Sequence, residues 1–109
     1  MKDYYDLWLI SETFEFEGRS LQRAIETTFA KRQTGIPTER PVGLTVEFAE
    51  TNRGRWKNFL AKLDLQNKSI DDFADVVNKI WSFLEYPTQA SSNDMPSKPL
   101  HWSPRKGWQ

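Results

Sequence analysis

Ser69-Ile70-Asp71-Asp72-Phe73-Ala74-Asp75-Val76-Val77-Asn78-Lys79-Ile80-Trp81-Ser82-Phe83-Leu84 is the stretch that decides the fold class. Ile70, Phe73, Ala74, Val77, Ile80, Trp81 and Leu84 recur three and four positions apart, which aligns them on one stripe of a 3.6-residue helix. Ser69 with Asp72 three residues on resembles a capping box, Asp replacing the usual Glu or Gln. Pro87 has no N–H to continue the ladder and is expected to stop the helix.

Working outward, the same period returns. Leu21, Ala24, Ile25, Thr28 and Phe29 form a stripe behind a possible Ser20 cap, with Gly35 and Pro37 expected to end that helix. Positions 34–44, with Pro37, Pro41 and Gly43, read as an ordered loop. Thr45 is a good cap for a short turn carrying Val46, Phe48 and Ala49. Thr51 or Asn52 then opens a helix whose apolar stripe is Trp56, Phe59, Leu60 and Leu63, and Gln66-Asn67-Lys68 separates it from the last one. Residues 3 to about 12 read as a helix with Asp3 and Asp6 in its first turn. Leu7, Trp8, Leu9 and Ile10 make it apolar almost all round, which predicts a buried central element. Phe14 and Phe16 alternate with Glu15 and Glu17 at the break that follows.

Beyond Thr88 the composition changes. Ser91-Ser92-Asn93-Asp94 with Pro96, Pro99 and Pro104 speaks against a long helix, yet Leu100, Trp102 and Trp108 are not disorder-type residues. The expected organisation is a helical domain over 1–87 and a Pro/Ser-rich tail over 88–109. Within the tail, 89–97 crosses flexibly and 98–109 docks as an extended segment through Trp102 and Trp108. With no sustained strand pattern or repeat, the fold class is all-α: a compact bundle of about five short helices with that tail laid on it.

The 109 residues suit one domain and would bury about two-thirds of the unfolded surface, enough for a core without a metal or disulfide. Five Trp and seven Phe make that core rich in ring area. Fifteen basic residues balance fifteen acidic ones, so a strongly basic nucleic-acid binder is excluded, though a local patch is not. Absence of cysteine removes disulfides and thiolate zinc sites and fits a reducing cytoplasm. No run of about 20 apolar residues spans a membrane, and the acidic start is no signal peptide.

In order along the chain, these residues resemble the AbiEii/AbiGii-type nucleotidyltransferase toxins of bacterial abortive-infection and toxin–antitoxin systems. Lys2-Asp3-Tyr4-Tyr5-Asp6-Leu7-Trp8 is similar to that family's late K-D-x-x-D-L segment. Leu21, Ala24-Ile25, Thr28-Phe29, Arg32, Thr34 and Pro37 resemble its L-x-x-A-I-x-x-T-F-x-x-R-x-T-x-x-P stretch. Trp56 with Phe59-Leu60, Phe83-Leu84 before Pro87, and Trp102, Pro104 and Trp108 follow at similar distances. The likeness covers nearly the whole chain and is carried by the ordered set, since no single piece is specific.

It also exposes what is lacking. The family's core carries a glycine–serine turn and a D-x-D carboxylate pair. Here no glycine precedes a serine, and no aspartate has an acidic residue two positions on. Nucleotidyl transfer needs carboxylates to hold the cations that neutralise the triphosphate, and backbone N–H groups to cradle its oxygens. The resemblance therefore implies a C-terminal helical portion of a longer toxin. It would buttress a catalytic core and help line the groove for nucleotide and acceptor, without turnover of its own. Mg2+ and a nucleoside triphosphate are expected only with that core, and tRNA as acceptor only in the whole protein.

The resemblance places Lys2 and Asp3, and more weakly Asp6, at the border of the active site of the whole enzyme. The simpler reading is that both aspartates favour the positive end of a helix. Arg32 could contact nucleotide or RNA phosphate, but an arginine bonding helix-end carbonyls accounts for it as well. Arg53, Arg55 and Lys57 beside Trp56 could bind RNA, yet Trp56 lies on the apolar stripe and the cations read as a solvated face. His101 stands alone and makes no metal site. The alternative is a free-standing interaction module using a Trp-rich face, or, less well supported, an RNA-binding module. Expected partners are the core or another protein on the first helix's face, an antitoxin, or a second copy. Self-association would follow from apolar surface left around Tyr4, Tyr5 and Trp8.

Overall fold

The stripe quoted first builds the element on which the others assemble. In the computed structural model, which describes residues 1–33, 35, 39–63, 72–92 and 100–109, it becomes α5 (Phe73–Ser92). Helices α1 (Lys2–Thr13), α2 (Gly18–Lys31), α3 (Val46–Thr51) and α4 (Arg53–Lys62) all pack on it. The chain is predominantly all-α, as its periodicity predicts.

Along α5, Phe73, Val76, Val77 and Ile80 are fully buried and join Ala49 and Trp56 in one core. Val76 lies off the predicted stripe and is buried because helices flank α5 on more than one side. Trp56 stacks on Phe73 with centroids 5.1 Å apart, and Tyr4 meets the same ring edge-on at 5.1 Å. Burying such rings contributes several kcal/mol of order, about 25 cal/mol for each Å² withdrawn from water.

Some expectations hold at residue level. Thr45 accepts from the Phe48 N–H at 3.2 Å and caps α3, and Trp56 is buried. Others need correction. Leu63 remains 48% exposed although it continues the α4 stripe, because α4 ends at Lys62. Asn52 does open α4 as expected, as its N-cap, although its side chain bonds backward, Nδ2 donating to the Phe48 carbonyl at 2.9 Å. In α2, which begins at Gly18 rather than after Ser20, the buried positions are Gly18 and Gln22. Leu21, Ile25 and Phe29 are half-buried, while Ala24 and Thr28 are exposed. The helix sits rotated because Gly18 lets its first turn approach the tail. A Cβ there would meet Tyr86 Cε1 at 3.2 Å and the Leu100 carbonyl at 3.3 Å. At its other end α2 stops before Gly35: Arg32 is the C-cap, and Gln33 takes the left-handed conformation at φ 53°. The Ser69 cap, Ile70, Pro37 and Gln66-Asn67-Lys68 lie outside the described residues.

Pro87 does not stop α5; it sits inside the helix with its ring buried, and the expected boundary after residue 87 falls mid-helix. A proline at this position frees the carbonyl four residues earlier, that of Phe83. Here the Trp108 indole N–H donates to that carbonyl at 3.1 Å, so the helix continues without an orphaned acceptor.

The tail also departs from the expected extended strip. β2 (His101–Ser103) and β3 (Gly107–Trp108) form a hairpin, and β1 (Phe16–Glu17) adds to β2 antiparallel, Phe16 opposite Trp102. Pro104 pre-sets the turn's backbone, and Gly107 at φ 73° supplies the left-handed residue that closes it. Strands of two and three residues leave no legible alternation, which is why periodicity missed them. Trp102 is 2% exposed, donates to the Ser11 carbonyl at 3.0 Å and packs on Phe83. Lys79 fixes the hairpin from α5: its ammonium bonds the Pro104 carbonyl at 2.8 Å, pairs with Glu12 at 3.6 Å and lies 5.3 Å from the Trp102 ring centroid.

Candidate functional site on the first helix

Helix α1 divides into two faces. Tyr4, Tyr5, Leu7 and Trp8 turn inward against the core, and Ser11 is fully buried beneath Trp102. Lys2 and Asp3 are exposed, Asp6 is half-buried, and Leu9 is 42% exposed. The helix is therefore not buried all round. The rings expected to be left bare are half-buried, and the apolar side chain that the outer face offers is Leu9. Sequence reading missed Leu9 because four consecutive apolar residues hide the amphipathic period.

The inner face holds the outer one in place. Tyr4 Oη donates to the Gly43 carbonyl at 2.8 Å, and burial raises the phenol above its ordinary pKa. Arg40 fastens the Val42–Leu44 turn to α5, donating to the Leu44 carbonyl and to Asn78 Oδ1, each at 2.6 Å. Trp8 Nε1 is buried with no acceptor among the described residues. Lys2 and Asp3 are thus displayed on a helix anchored by aromatic packing.

Asp3 and Asp6, three residues apart, present at most one carboxylate pair. Among the described residues no group of three or more His, Cys, Asp or Glu side chains could hold a metal ion. The chain also has no glycine–serine turn for the phosphates that share such an ion.

Arg32 is exposed at the α2 C-cap, where its N–H bonds the Thr28 carbonyl at 3.2 Å. His101 faces Glu15 at 3.0 Å on the surface. Among the described residues no helix is long and apolar enough to cross a membrane.

The family model described as nucleotidyl transferase AbiEii toxin, Type IV TA system, matches residues 1–83, all of the helical assembly up to the middle of α5. No curated protein and no solved structure matches the chain significantly.

Proposed function

Because this chain belongs to the AbiEii nucleotidyl transferase toxin family, we propose that it is the C-terminal helical module of such a toxin. It buttresses a catalytic core through the outer face of α1 and lines the groove for nucleotide and acceptor. The glycine–serine turn and the carboxylate pair that hold magnesium and triphosphate then come from polypeptide other than these 109 residues. Lys2 and Asp3 border that reaction centre and Asp6 flanks it.

The observation that supports this reading is the division of α1. One face is locked into the core by Tyr4, Tyr5 and Trp8, while the other presents Lys2, Asp3 and Leu9 to a neighbour. A lone exposed carboxylate on a rigid helix does no chemistry; beside a second pair of acids it can complete a cation site.

The test is transfer of a labelled nucleotide to tRNA with magnesium present. The purified chain alone is expected to give no product. Joined to a core carrying the glycine–serine and D-x-D segments it is expected to label tRNA, and Asp3→Asn to lower that rate at least about tenfold. Product from the chain alone, or an Asp3→Asn enzyme at full rate, sinks the proposal.

A further inference from the structure

We propose that the solvent face of α4 is a docking ridge for the phosphodiester backbone of nucleic acid. α4 carries Arg53, Arg55, Lys57 and Lys62 and no acidic residue, in a chain whose total charge is zero. At 3.6 residues per turn, Gly54, Asn58 and Ala61 form the central strip of its outer face. Arg53 and Lys57 run along one side of that strip and Arg55 and Lys62 along the other, each row about 90° away. The strip is low, and a Cβ built on Gly54 meets nothing within 4 Å. Two rows of long cations thus flank a shallow track roughly 15 Å long.

Lys62, in the last turn, suits the helix dipole, but the cations of the first turn do not. α1, α3 and α5 carry Asp3, Glu47 and Asp75 in their first turns, where a negative charge suits the dipole. The first turn of α4, like that of α2 with its Arg19, carries no acid, and it holds two cations, Arg53 and Arg55, which the dipole opposes. Arg53 is offset by Asp72 at 3.2 Å; among the described residues Arg55, Lys57 and Lys62 have no acidic partner. Clustered positive charge with few acidic partners among the described residues is stabilised by an external polyanion.

The rest of the surface selects which one. Trp56 is 2% exposed and stacked between Phe59 and Phe73, so it fixes α4 and cannot stack on a base. The track offers no large apolar side chain to anchor a protein partner or enter a bilayer. Cations around small polar residues suit phosphates, read without sequence preference. Tyr5 touches Phe59, so the ridge flanks α1, but nothing in the role proposed for α1 requires it.

The experiment is binding of the 109-residue chain to tRNA across a salt series, with polyglutamate and anionic vesicles as other arms. Expected is tRNA binding that weakens steeply with salt and exceeds that of both other polyanions. Arg55→Gln, Lys57→Gln and Lys62→Gln together should weaken it at least about tenfold at low salt and reduce the salt slope by roughly two to three. Arg19→Gln, Arg23→Gln and Lys31→Gln on α2, with the same charge change, should leave affinity within about twofold. Circular dichroism confirms that each variant is folded. No tRNA binding at low salt, equal loss in the α2 variant, or equal binding to polyglutamate or vesicles overturns the inference. Catalysis is not measured, so failure of the proposed toxin role leaves this result unaffected.

Discussion

The indole N–H of Trp108 bonds the carbonyl of Phe83, 3.1 Å away, the very acceptor that Pro87 deprives of its helical donor. A residue near the end of the tail therefore completes the hydrogen bonding of the central helix. Trp108→Phe is expected to destabilise the fold by about 1–2 kcal/mol, through the lost bond and reduced ring contact. In a Pro87→Ala background the backbone supplies its own donor, and the same substitution should cost about 0.5–1 kcal/mol less. Denaturant unfolding of the four proteins measures the coupling; additive effects refute it.

Two tryptophans, one on α1 and one packed against it, predict a contrast. Trp102 Nε1 has a buried acceptor in the Ser11 carbonyl, whereas Trp8 Nε1 is buried without one among the described residues. Trp102→Phe should cost about 2–3 kcal/mol and Trp8→Phe under about 1 kcal/mol, because the latter also removes an unsatisfied donor. Thermal unfolding that ranks the two in reverse order contradicts this account.

Gln33 is the one described non-glycine residue in the left-handed region, at φ 53° where α2 ends. A Cβ is costly in that conformation, so Gln33→Gly should stabilise by about 0.5–1 kcal/mol. A loss of stability on that change would mean that the Gln33 side chain outweighs the backbone strain.

Tyr4 gives a pH signature. Burial raises its phenol pKa in the fold above the ordinary value of about 10. Above pH 10 the unfolded chain sheds this proton while the native state keeps it, so the native state binds more protons and stability falls as pH rises. The contribution is fully present below pH 10. Tyr4→Phe should cost about 1 kcal/mol there, from the bond to Gly43, and the difference from wild type should shrink as the pH rises from about 10 to 11. A difference that stays flat across that range removes Tyr4 from the account.

Sequence by itself determined the helices, the Thr45 cap and Trp56 as a core residue, because each rests on neighbours within a few turns. It also fixed the absence of a glycine–serine turn and D-x-D pair, which is a matter of residue identity alone. Which way each helix faces was decided only by tertiary packing. α2 turned Ala24 and Thr28 outward so that Gly18 could meet Tyr86 and Leu100, and Leu9 faced solvent once Trp8 and Ser11 faced inward. The fate of Pro87 was likewise beyond local reading. Its missing hydrogen bond was replaced by Trp108 from 21 positions away in sequence, and a donor so distant leaves no periodic trace.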